Sequence, residues 1–186
     1  MRGPLGWLDP EGEAFWRLSF CPSRIALLAA AALALYAARE PLGRALSILN
    51  WFNLMVHEAG HPIFGLLGSR WIGFAGGTLM QLLMPTLFYF SFLRQSQPKS
   101  ADACIFWFGS NFFGIGPYVA DARAQVLPLL GGGEHDWTYL LGSVGLLPHD
   151  RGLGELALFA GCLCFALFGY SLFEHLRRGR GAVLVS

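Results

Sequence analysis

His57 and His61 stand four residues apart, with Glu58 directly after the first, in the run His57-Glu58-Ala59-Gly60-His61. On a helix that spacing puts both imidazoles on one face, one turn apart, which is the geometry for chelating one zinc ion. Glu58 is turned by about 100° from His57. It is badly placed as a third ligand from the same turn and well placed to take a proton from a water that the ion activates. Two amides extend the pattern: Asn50, Asn53, His57 and His61 fall within about 80° of one helical wheel. A polar stripe of this kind faces a bundle interior or a water-filled cavity, because a charged side chain at mid-bilayer costs roughly 2.5–3.5 kcal/mol on insertion scales. Pro62, directly after His61, cannot donate to the Glu58 carbonyl, so a kink is expected there.

The elements that must position these residues are apolar. Hydrophobic residues make up 54% of the 186 and charged residues 13%, with a mean hydropathy of +0.48. A soluble fold so short of charge could not cover its surface with polar groups, whereas a lipid-facing surface needs no such cover. The expected fold class is all-α, a polytopic membrane helix bundle forming one domain over 1–186. About five spans are read from the apolar stretches at 22–38, 45–68, 71–93, 102–120 and 153–173, each near the roughly 20 residues a span requires. Residues 1–21, with Trp7, Phe15 and Trp16 among charges, read as an interfacial segment. The bundle then covers 22–173, with a mixed loop at 121–152, and residues 174–186 form a basic tail. No cleavable signal peptide is expected, since the first twenty residues carry Asp9, Glu11 and Glu13 and lack a continuous apolar core.

Formal net charge is +1, which gives no reason to expect a nucleic-acid partner. Cys21, Cys104, Cys162 and Cys164 form no CxxC pair and read as small packing residues. In the third apolar stretch Thr78, Gln81 and Pro85 share a face. Gly76 and Gly77 allow close approach of a second backbone, or could pair an extended substrate strand.

A catalytic zinc takes three protein ligands and keeps one position open, so a third ligand must come from elsewhere in the chain. The sequence resembles the site-2-protease family of intramembrane zinc metalloproteases. Those enzymes pair an HExxH helix with a later helix bearing an Asn-x-x-Pro…Leu-Asp-Gly pattern. The matching stretch here is Asn111-Phe112-Phe113-Gly114-Ile115-Gly116-Pro117-Tyr118-Val119-Ala120-Asp121. Gly114 stands where that pattern has Pro, Ala122 where it has Gly, and the Asn-to-Asp spacing is two residues longer. The resemblance covers about residues 45–125 and implies Asp121 as third ligand and Asn111 as a donor to the substrate carbonyl. The rival source is Gly133-Glu134-His135-Asp136-Trp137, a loop from which His135 or Asp136 could fold over the metal. His149-Asp150, another His-Asp pair, reads as an interfacial cap before the last span.

The implied chemistry is hydrolysis of a peptide bond in a transmembrane or membrane-proximal substrate, with one Zn2+ as cofactor and the lipid bilayer as surroundings. Glu58 is the general base, and Asn111 or Gln81 supports the developing oxyanion, with Asn53 and Gln81 as supporting residues. Two other classes stay open: a non-enzymatic metal-binding or transport protein, and an inactive pseudoprotease. The prenyl-processing membrane proteases are disfavoured, because no Glu-Glu dipeptide occurs in the chain.

Overall fold

The structure, a computed structural model, describes residues 22–130 and 133–183. Among these residues all the long elements are α-helices: α1 (Pro22–Ala37), α2 (Arg39–Ala45), α3 (Ser47–Gly65), α4 (Arg70–Arg94), α5 (Pro98–Ala120), α6 (Asp136–Ser143) and α7 (Asp150–Val183). The interfacial reading of 1–21 and the last three residues of the basic tail lie outside the described residues. The tail from Glu174 to Val183 continues α7.

Local sequence explains where the helices stop. Gly68 closes α3 with a φ of +74°, a conformation that costs glycine little. Ser69 then caps α4, its Oγ accepting from the Ile72 N–H. Pro98 opens α5 at a position where its missing N–H costs nothing. The helix α3 runs through Pro62 as far as Gly65.

Two helices are long and apolar enough to cross a membrane: α4 and the Leu147–His175 stretch that contains most of α7. A third is added if α1 and α2, bent by 74° at Ala38, act as one broken span. The expectation of about five spans is met only in part. The helices α3 and α5 have the length, at 19 and 23 residues, but not the apolarity. Their inward-facing polar residues, which include Asn53, His57, Ser110 and Asn111, lower it. Large apolar side chains nevertheless cover the outside, among them Ile48, Trp51, Leu66, Leu87, Leu156 and Phe173.

Small residues set the spacing of the main helix pairs. The helices α3 and α4 meet backbone to backbone, so a Cβ on Gly60 would run into the Gly76 carbonyl, and one on Gly76 would lie 2.8 Å from the Gly60 oxygen. Gly76 is therefore a packing residue. The pair α5–α7 uses the same device at Gly116 and Gly154. The core between α1, α3, α5 and α7 contains Leu46, Phe113, Cys162 and Phe165, in which the Phe113 and Phe165 rings stack at 5.3 Å. Cys162 is thus a buried packing residue, as expected. A second cluster, Ile115, Val119, Ala122 and Leu141, fastens α6 to the bundle. Asp150 caps α7: its buried carboxylate accepts from the Arg123 N–H, the Arg123 guanidinium and the Arg151 N–H.

The α3–α4 seam should tolerate no side chain. Gly60→Ala is expected to destabilise the protein by about 1–3 kcal/mol through overpacking. Gly169→Ala, where an added Cβ meets nothing within 4 Å, is expected to leave stability unchanged or slightly raised. Thermal unfolding of the two variants in detergent tests the contrast.

Candidate metal centre

The polar stripe of α3 faces inward. Asn53 and His57 are buried, and Asn50 and His61 are partly so. Asn53 ties α3 to α5, donating to Ser110 Oγ at 3.3 Å and accepting from the Trp107 indole at 2.9 Å. One turn on, the ring of His57 lies flat against Gly77, where any Cβ would sit 2.5 Å from its Nε2. Gln81, one turn further along α4, fixes the ring: Gln81 Oε1 is 3.0 Å from His57 Nδ1. His61 is held in the same manner, with Nδ1 2.9 Å from the Gly73 carbonyl oxygen.

Both of these partners are acceptors, so each Nδ1 carries the donated hydrogen and each Nε2 is turned the other way. The two Nε2 atoms converge on one oxygen, Asp136 Oδ2, at 2.9 and 3.3 Å. One ligand atom from each of His57, His61 and Asp136 lies within 4.8 Å of the others, and the group could hold a metal ion. Its chemistry fits that role. Two imidazole nitrogens and a carboxylate oxygen pointing at one spot repel one another unless protons or a cation lie between them, and a divalent cation replaces both protons. Histidine ligands to metals ordinarily donate their other ring N–H to a carbonyl or similar acceptor, as both do here. Burial pushes the Asp136 carboxyl up, while its hydrogen bonds with His57 and His61 pull it down further, to about 2, so it stands as the carboxylate a ligand must be.

Asp136 is carried by α6, which docks on the start of α4. Tyr139 stacks on Phe74 at 4.3 Å, Arg70 lies over the Tyr139 ring, and the Trp71 indole donates to Ser143 Oγ. Arg70 also pairs with Glu134 at 2.6 Å on the rim. The N-cap is His135, whose Nδ1 accepts from the Thr138 N–H. Burial holds its imidazole below the usual histidine range. Its Nε2 lies 3.6 Å from Asp121 Oδ2, beyond hydrogen-bond reach.

Two expectations are corrected at this point. Asp121 is not in the histidine group. Its carboxylate accepts from the Val126 and Leu127 N–H groups, both at 3.0 Å, and so bends the chain after α5. The physical reason is position: Asp121 is the C-cap of α5, where free backbone donors of the following turn lie within reach. Asn111 does not serve the group either. Its amide donates to the Trp107 carbonyl within its own helix, its Oδ1 is buried without a hydrogen-bond partner, and it borders neither cavity described below. Gln81, considered as an oxyanion donor, is committed to orienting His57.

The residue that sequence reasoning missed is Tyr118. It lies seven residues after Asn111, two turns along the same face of α5. Its hydroxyl accepts from the Asp136 N–H at 3.2 Å, and its ring packs edge-on to His57 and against His135. The two-turn spacing from Asn111 was the available signal.

Two cavities flank the group. One, of about 530 Å³, is bordered by His61, Asp136, Ser69, Arg70 and Glu134. The other, of about 380 Å³, runs along α3 past Trp51 and Leu54 to His57 and Gln81. Glu58, Tyr118, Leu129 and Leu130 border both. Glu58 has no hydrogen-bond or ion-pair partner among the described residues.

Compared with protein-family models, with curated proteins and with solved structures, the chain gives no match.

The geometry separates the two aspartates experimentally. Asp136→Ala is expected to abolish stoichiometric zinc binding, and Asp121→Ala to retain it. Gln81→Leu, which leaves His57 unoriented, should weaken zinc binding by about 10–100-fold. Elemental analysis and competition with a zinc chelator read all three.

Proposed function

We propose that this protein is an intramembrane zinc metalloprotease that hydrolyses peptide bonds of membrane-embedded or membrane-proximal substrates. The observation that carries the reading is the convergence of His57, His61 and Asp136 on one point, with the unpartnered Glu58 beside it on the border of two cavities. The ligand set of two histidines and one carboxylate is one that catalytic zinc takes. The apolar exterior and the long apolar helices α4 and α7 support a bilayer as the surroundings, with α3 and α5 as further, inward-polar spans.

Zinc, when bound, supplies a Lewis acid and a water acidified to a pKa of about 7. The chain supplies the rest. His57 and His61, their rings fixed by Gln81 and the Gly73 carbonyl, would hold the ion together with Asp136. Glu58 takes the proton of the attacking water and delivers it to the leaving amine. Tyr118 replaces Asn111 as the donor to the developing oxyanion, since it borders both cavities and its hydroxyl lies beside the Asp136 N–H. A substrate helix hides its carbonyls in its own hydrogen bonds, so it must unwind to reach the group.

Transport of a metal ion would call for successive ligand groups along a route across the bilayer. Among the described residues His57, His61 and Asp136 form a single group, and Asn53 bonds to Ser110 and Trp107.

Glu58→Gln is expected to lower cleavage of a membrane substrate by a factor of about 10²–10⁴ while leaving zinc content unchanged. His57→Ala is expected to lose both. Zinc analysis of detergent-purified protein, paired with a cleavage assay, distinguishes the two variants. A Glu58→Gln protein that cuts at the wild-type rate would remove the assigned base.

A further inference from the structure

The two cavities that share Glu58 and Tyr118 differ in chemistry. The larger one includes the charged pair Arg70 and Glu134 and the Ser69 hydroxyl in its lining, which suits water and the charged ends of a cut chain. The other is walled by Trp51, Leu54, Leu127 and Leu129 and leads directly to the ring of His57. Resting on the hydrolytic reading above, we propose that this apolar cavity is the specificity pocket of the enzyme, taking one large apolar side chain of an extended substrate next to the bond to be cut.

Three observations carry this. The cavity is continuous with the metal group, for His57, Glu58, Gln81 and Tyr118 all border it, so a side chain lodged there brings its own backbone to the site. Its size, about 380 Å³, accepts a leucine, methionine or phenylalanine side chain with part of the adjoining backbone. Trp51, Leu54, Leu127 and Leu129 supply an apolar wall for such a side chain.

The fold also supplies a way to fill each cavity separately. Gly114, on the wall of the apolar cavity, and Gly65, on the wall of the polar one, are both helical, and a Cβ added at either meets nothing within 4 Å. Gly114→Leu, with room for its Cβ on that wall, is designed to fill the apolar cavity, and Gly65→Leu is its control.

The test uses full-length, zinc-loaded protein in detergent and two synthetic transmembrane peptides that differ only in Leu or Ala next to the cleaved bond. The wild type is expected to prefer the Leu peptide in kcat/KM by about tenfold or more, the discrimination a few methylenes provide. Gly114→Leu is expected to erase that preference by losing the Leu peptide, and Gly65→Leu to keep it. Equal losses on both peptides in Gly114→Leu, with zinc content intact, overturn the pocket. Binding is read separately on Glu58→Gln protein with a peptide carrying a photo-activatable leucine, and crosslinks are expected at Trp51, Leu54 or Leu127 that Gly114→Leu removes. If these crosslinks form and the wild type cuts neither peptide, the pocket stands and the hydrolytic reading falls. Crosslinks elsewhere, or a co-purified lipid that Gly114→Leu expels while no peptide crosslinks, overturn the pocket.

Discussion

Where α3 and α4 cross, no side chain separates them. Gly60 and Gly76 touch through their backbones, and one residue further along α4 the ring of His57 lies on Gly77. That contact fixes how far the imidazole sits from the α4 axis, and hence which α4 groups can reach its Nδ1. Gln81 is one turn past Gly77, and the Gly73 carbonyl is one turn before it. Both histidines are therefore aimed by a single neighbouring helix, and their Nε2 atoms point the same way. Without the bare glycine surface, neither hydrogen bond could form at 2.9–3.0 Å, and the group would have no common focus.

Asp136, the third member of the group, depends on a different kind of support. Asp136 begins a short helix outside the long apolar ones, and its direction comes from capping rather than from close backbone packing. His135 caps α6, Tyr118 receives the Asp136 N–H, and aromatic stacking on Phe74 holds the helix down. Asp121, the other candidate, shapes the chain that leads there. By accepting from Val126 and Leu127 it turns the chain at the end of α5, and the Leu127–Leu130 stretch then borders the cavities. The two carboxylates thus divide the work, one reaching the histidines and the other bending the chain that carries the first.

What the sequence discloses follows the range of the interactions involved. The facing of His57 and His61, the offset of Glu58 and the inward stripe with Asn53 are properties of one helix, so spacing reveals them. The close approach at Gly76, the packing role of Cys162 and the capping by Asp150 are also legible, because small or short polar residues at such positions have few other uses. The choice between Asp121 and Asp136 is not legible, since it depends on whether a loop folds back across the bundle. Asn111 misled for a related reason: its own helix offers the Trp107 carbonyl four residues earlier. Span number is less legible, because length and apolarity part company in helices whose inner face is polar.

The separations along the chain imply an order of assembly. His61 finds the Gly73 carbonyl 12 residues away and His57 finds Gln81 24 residues away, whereas Asp136 stands 79 residues from His57. Contacts close in sequence form sooner, because less chain entropy is lost in closing them. The hairpin of α3 and α4 can thus present two aimed nitrogens as a half-built receptor before α5 and α6 have arrived. An ion captured at that stage would be a template on which the last carboxylate docks, joining loading to completion of the fold.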